Sequence, residues 1–219
     1  METILNEEEV RVLGSLVEKQ VTTPEYYPLT LNALVQACNQ KNNRNPVVAY
    51  DEATVSQTIE SLRAKNLVYV FYGSTSRVPK YKQMMTEVFG LDERELALTC
   101  ALMLRGPQTV GELRSHASRL YDFPGLDEVE ETLDRLIVKE PQPLVVRLAR
   151  QPGRKEVRYA HLLSGEVSAE DLGVGPETEA VTRPSGGDRV SRLEQEVEAL
   201  RGEMASLRQE FEDFKKQFD

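Results

Sequence analysis

The chain has no tryptophan, two cysteines, two histidines and aromatic residues at only 6% of its 219 positions. Each shortage excludes something. Cys38 and Cys100 both fall in apolar helical patterns with no CxxC spacing, so they read as free buried thiols of a reducing compartment, not as a disulfide or metal site. His116 and His161 lack an HxH or HExxH neighbour, and Gly73 and Gly153 belong to hairpin turns, not to a phosphate-binding loop. With no convergent nucleophile, base or metal ligands, the residues point away from an enzyme, and no cofactor is expected. Apolar runs fall short of the roughly 18–20 residues of a membrane span. The opening Met1-Glu2-Thr3-Ile4 carries no basic stretch of a signal peptide. A cytoplasmic protein without a membrane partner is expected.

The net charge of −9 argues mildly against wholesale nucleic-acid binding, but its distribution matters more. Residues 1–90 carry nine basic and ten acidic residues, and residues 91–163 carry eleven and twelve, so the remaining −7 falls in 164–219. Neither of the first two segments is strongly acidic, and local patches decide.

Those two segments follow one script. Leu5-Asn6-Glu7-Glu8-Glu9-Val10 and Leu91-Asp92-Glu93-Arg94-Glu95-Leu96 each place a capping residue three positions before a glutamate, a capping box opening an amphipathic helix. A second helix starts at Thr30 in one copy and at Thr109, with Glu112, in the other. A third has apolar positions Val55, Ile59 and Leu62, matched by Val129, Leu133 and Leu136. Each copy closes with a strand, a turn and a strand: Leu67–Tyr72 returning through Arg77–Lys82, and Leu144–Ala149 returning through Glu156–His161. Three short helices with a terminal hairpin describe a winged helix. The expected fold is therefore α+β and mainly helical, with winged-helix domains at 1–90 and 91–163. The stretch 164–188, with Gly165, Gly173, Gly175, Pro176, Pro184, Gly186 and Gly187, reads as a flexible linker, and 189–219 as a coiled-coil helix.

Three contiguous stretches also carry a resemblance. They are Leu16-Val17-Glu18-Lys19-Gln20, the run from Thr22-Thr23-Pro24-Glu25-Tyr26-Tyr27-Pro28 to Leu34, and Ala37-Cys38-Asn39-Gln40-Lys41-Asn42-Asn43-Arg44-Asn45-Pro46-Val47. Together they resemble the signature of the YceH-type family of bacterial proteins, and the likeness extends over roughly residues 4–163. The resemblance implies a tandem winged-helix fold in a bacterial cytoplasmic protein, often ending in a coiled coil. It implies no established activity.

Function must come from the residues. Turning Val55, Ile59 and Leu62 inward leaves Ala53, Gln57, Glu60, Ser61 and Ala64 facing out of the first copy's third helix. Small residues and an amide suit approach to base edges, whereas Glu60 repels phosphate. Lys41, Arg44, Arg63, Lys65, Arg77, Lys80 and Lys82 outnumber Asp51, Glu52 and Glu60, giving +4 over residues 41–82. The candidate nucleic-acid set is Lys41, Arg44, Gln57, Ser61, Arg63, Arg77, Lys80 and Lys82. The second copy exposes Asp127, Glu131 and Asp134 on one stripe, beside Glu128 and Glu130, and is not expected to read DNA. Its basic hairpin (Arg147, Arg150, Arg154, Lys155, Arg158) suits a backbone contact or internal balance of those acids, and protein contact or simple packing is the expectation for this domain. Tyr26 and Tyr27 are expected to pack against the Asn39–Pro46 turn, itself either a binding loop or a solvent-facing turn capped by amides. Two readings remain open: a DNA-binding regulator acting through the first domain, or a scaffold or adaptor that grips another protein.

From Val190 the apolar residues Leu193, Val197, Leu200, Met204, Leu207, Phe211, Phe214 and Phe218 follow an unbroken 3,4 alternation, a heptad seam that needs a partner helix. In a parallel homodimer the flanking pairs Arg189–Glu194, Glu196–Arg201, Glu203–Arg208 and Glu210–Lys215 all attract. Each is worth only about 0.3–0.5 kcal/mol, so the charges set orientation and the seam supplies binding. Deleting residues 189–219 is expected to give a folded monomer in sedimentation; a truncated chain that stays dimeric would place self-association elsewhere.

Overall fold

The two capping boxes begin the helices around which the molecule is assembled. The computed structural model describes residues 4–72, 78–150 and 156–165, so Arg77, nearly all of the linker and the heptad residues Val190 to Phe218 lie outside the described residues. Helix α1 (Glu7–Thr22) starts at Asn6, whose side chain accepts from the Glu9 backbone N–H at 2.8 Å while Glu9 Oε2 accepts from the Asn6 N–H at 2.8 Å. Helix α5 (Glu93–Arg105) starts the same way at Asp92 and Glu95. Thr30 caps α2 (Leu31–Cys38), Asp51 caps α3 (Glu52–Ala64), and Thr109 with Glu112 forms a third capping box on α6 (Val110–Ala117). Helix α7 spans Leu126–Ile137.

Strands β1 (Leu29–Thr30), β2 (Val68–Phe71) and β3 (Lys80–Gln83) form an antiparallel sheet in the order β1-β3-β2. Strands β4 (Val145–Arg147) and β5 (Tyr159–His161) form a second antiparallel pair. Its ladder extends through Leu148 N–H to Arg158 O at 2.9 Å. The chain is thus α+β, largely helical with small antiparallel sheets.

Backbone closures recur from one copy to the other. Leu67 N–H donates to Leu62 O and Met84 N–H to Leu67 O; correspondingly Leu144 N–H donates to Leu136 O and Leu162 N–H to Leu144 O. Leu29 and Thr30 pair with β3, and Gln108 bridges Tyr159 at the equivalent place. Even a cation is duplicated. Lys65, at the end of α3, donates to Ile4 O at 2.8 Å and to Glu9 Oε2 at 2.6 Å; Lys139, past the end of α7, donates to Gly90 O at 2.9 Å and to Glu95 Oε2 at 2.6 Å.

A short helix and a tyrosine pair depart from the sequence reading. A short helix α4 (Met85–Phe89) follows the first hairpin and ends at Gly90 with φ 61°, a left-handed conformation that glycine adopts without penalty. Tyr27 turns toward β3, its hydroxyl accepting from Gln83 N–H at 2.6 Å, and Tyr26 stands exposed, so neither packs on the Asn39–Pro46 turn as expected.

Both central helices are buried over ten consecutive residues, Glu9–Glu18 in α1 and Glu95–Leu104 in α5, which an amphipathic reading does not anticipate. The reason is that each serves two neighbours: α1 packs on α2 and α3 of its own copy and on α5 of the other. The helices run antiparallel, since Val10 shares a cleft with Met103 and Val17 shares one with Leu96. Gly14 allows the approach. A Cβ there would meet Leu104 Cδ2 at 3.0 Å and Met103 Cβ at 3.3 Å, and the Cys100 thiol donates to Gly14 O at 3.4 Å. Glycine inside a helix costs about 1 kcal/mol relative to alanine, so packing offsets propensity here. Gly14→Leu is expected to lower stability by about 1–3 kcal/mol, read as an earlier urea midpoint; an unchanged midpoint would mean that α1 and α5 separate without penalty.

Candidate nucleic-acid interface

Helix α3 turns Val55, Ile59 and Leu62 inward and leaves Ala53, Gln57, Glu60, Ser61 and Ala64 exposed, as its period implies. Two of those residues are engaged. Ser61 Oγ donates to Glu9 Oε1 at 2.7 Å, which ties it to the start of α1, and Glu60 pairs with Arg63 at 2.7 Å. Gln57 has no such tie among the described residues, and the small side chains of Ala53 and Ala64 lie on the same face. Arg63 lies within electrostatic range of Tyr72, so the helix end and the hairpin adjoin.

The basic patch is smaller than its residue count implies. Arg44 is withdrawn from phosphate, because its side chain is wholly buried against Glu18 at 2.6 Å and donates to Ala37 O at 2.9 Å. A guanidinium in that setting is a structural tie: removing it from water is offset only by the carboxylate and carbonyls around it. Lys65 is engaged with Glu9, and Lys82 pairs with Glu87 at 3.1 Å. Lys41 is exposed and Lys80 half-exposed, and neither has an ion pair among the described residues.

The Asn39–Pro46 turn docks the two copies together. Asn45 N–H donates to Leu104 O at 2.9 Å, and Arg105 donates to Asn43 Oδ1 at 2.6 Å. Arg11, buried on α1, donates to Cys38 O at 3.3 Å and Pro46 O at 2.6 Å, closing the turn from below. Glu18 receives Arg44 from this turn and Arg119 from the second copy, the latter at 2.9 Å. Burial pushes the Glu18 carboxyl up, but the hydrogen bond and charge of Arg44, with the charges of Lys19 and Arg119, outweigh it, and the group lies below its ordinary value.

Strand alternation sorts the first hairpin into two faces. Val68, Tyr81 and Gln83 are buried, while Tyr69 and Phe71 stand out opposite Lys82 and Lys80 respectively. In the second copy, Asp127, Glu130, Glu131 and Asp134 of α7 are exposed without an ion pair among the described residues. Glu128 is held by Arg94 at 2.7 Å, and Arg135 reaches Asp92 at 3.2 Å. Of its basic hairpin residues, Arg158 turns inward to Pro107 O and Glu112, whereas Arg154 and Lys155 lie outside the described residues.

Both cysteines and His116 are engaged in packing. Burial raises Cys38 to about 11 and lifts Cys100 further, so both thiols stay protonated. His116 Nδ1 shares a 2.6 Å hydrogen bond with Gln108 Oε1, and burial lowers its pKa. No group of three His, Cys, Asp or Glu among the described residues is placed to hold a metal ion. Among those residues, no helix is long and apolar enough to cross a membrane.

Comparison with known proteins matches residues 5–154 to the family model described as a protein of unknown function, DUF480. The chain belongs to the DUF480 family. It is 51% identical to a UPF0502 protein of Pelobacter propionicus over the whole of both chains, and 49% identical to another from Geotalea uraniireducens over the same span. A third, from Opitutus terrae, is 54% identical over 90% of this chain and 84% of its own. The YceH-type resemblance is borne out by these bacterial relatives.

The DUF480 match covers the residues that sequence reasoning left without a role. Arg11 and Glu18 sit within a helix expected to be amphipathic, and their burial follows only from the α1–α5 contact. Glu18 is the sharpest case for test. Its folded pKa lies below the ordinary 4.5, so its stabilisation is fully present above that value and is lost as pH falls through the lowered one. Glu18→Gln is expected to cost about 3 kcal/mol at neutral pH by leaving Arg44 without a counter-charge. Urea midpoints should converge for the two proteins below pH 4.5; parallel pH profiles would show that the pair contributes nothing.

Proposed function

We propose that this protein is a tandem winged-helix, nucleic-acid-binding regulator of the bacterial cytoplasm that contacts its target through the first repeat. Three helices followed by a hairpin, twice in one chain, fit that fold, and α3 takes the place of the element that enters a groove. The carrying observation is the contrast between the two third helices. Gln57, Ala53 and Ala64 leave α3 open and hydrogen-bonding, whereas α7 presents Asp127, Glu130, Glu131 and Asp134 to solvent. Carboxylates on that scale repel a phosphate backbone, so the second repeat is assigned to protein contact. Lys41, Arg63, Lys80 and Lys82 remain as phosphate contacts, with Arg77 from outside the described residues; Arg44 and Ser61 are left out. The heptad seam from Val190 to Phe218 joins two chains in parallel and doubles the contacts.

A second reading, an adaptor that grips another protein and does not touch DNA, is favoured by the engagement of Arg44 and Lys65 with buried carboxylates. Salt separates the two. The regulator is expected to bind random duplex at about 50 mM salt and to lose about a thousandfold in affinity by about 200 mM. Arg77→Glu with Lys80→Glu is expected to abolish binding. A chain that ignores DNA of any kind even at low salt leaves the adaptor standing.

A further inference from the structure

The outward face of the first sheet has a composition that a duplex-reading wing does not need. Tyr69 is 57% exposed and Phe71 46%, both pointing away from the core on alternate positions of β2. Each stands directly across from a lysine of β3: Tyr69 from Lys82, and Phe71 from Lys80. Thr30 of β1 lies across from Lys80 on its other side. The result is a row of two rings along β2 beside a row of two lysines along β3, on one face of the sheet. Same-face residues of one strand are about 7 Å apart and cross-strand partners about 5 Å apart. That spacing gives each ring room for one unstacked base with a cation beside it.

We infer that this face is a platform for single-stranded nucleic acid, with bases stacked on Tyr69 and Phe71 and phosphates held by Lys80 and Lys82. The inference rests on the nucleic-acid reading above and narrows it to strand type. Duplex bases are stacked on each other and offer no free ring face, whereas every base of a single strand does. Helix α3 presents an amide and small side chains with Glu60 held by Arg63, and offers no ring for a free base, whereas the sheet face sets two lysines beside two rings. One acid works against the platform. Glu87 on α4 holds Lys82 at 3.1 Å, with both side chains substantially exposed, so the pair exchanges readily for phosphate.

The test is fluorescence anisotropy of the full chain with labelled oligo(dT), oligo(rU) and a random duplex at low salt. Single strands should bind more tightly than duplex, and the two oligomers separate a DNA from an RNA ligand. Tyr69→Ala and Phe71→Ala should each weaken binding about tenfold, and Lys80→Glu with Lys82→Glu should abolish it. Glu87→Gln should strengthen it by freeing Lys82, an effect that a damaged fold would not produce. All positions are exposed or half-exposed, and circular dichroism checks each variant. Single-strand binding indifferent to Tyr69 and Phe71 overturns the inference. Duplex binding that Gln57→Ala removes and the ring substitutions spare overturns it too, while the regulator reading survives. No binding to any of the three overturns both.

Discussion

Burial of α1 and α5 on all sides forces polar side chains into the interior, and the fold depends on how those are answered. Glu9, Glu18 and Glu95 are each nearly inaccessible, and each meets a cation delivered by a different element: Lys65 from the end of α3, Arg44 and Arg119 from two loops, Lys139 from beyond α7. An unanswered carboxylate at any of these places would cost several kcal/mol. The ion pairs therefore act less as added stability than as a condition on which arrangements of the elements are allowed. A hydrophobic contact tolerates sliding, but these pairs fix which end of α3 and α7 faces which helix start.

The same accounting decides where charge is left for a ligand. Cations numerous enough to form a patch by count are largely committed inward or to neighbouring acids. In the first segment those that stay available are Lys41, Arg63, Lys80 and Lys82, and the two on the hairpin stand opposite aromatic side chains that solvent reaches. The copies share capping boxes and closing hydrogen bonds, yet one third helix shows an amide with small side chains and the other a row of carboxylates.

Much of the architecture was legible in the chain because it is written locally. Asn6 with Glu9, Asp92 with Glu95, and Thr109 with Glu112 announce helix starts through spacing alone, and all three boxes are present. The apolar faces of α3 and α7 follow from period. Contacts between distant segments were not legible. Nothing near Arg44 in sequence distinguishes a buried guanidinium from an exposed one, since its partners come from Glu18 and Ala37. Helical period places Ser61 on the groove face and cannot show that Glu9 lies beside it. Gly14, a poor helix former inside a helix, shows its reason only once Leu104 and Met103 are seen against it.

That joint has a mechanical meaning. With Gly14 seated against Leu104, Asn45 bonded to the end of α5, and Glu18 gripped from both sides, three separate contacts tie the first segment to the second. A load applied at the first hairpin therefore reaches α7 through these side-chain and backbone contacts, and loosening Gly14, Asn45 or Glu18 weakens that route.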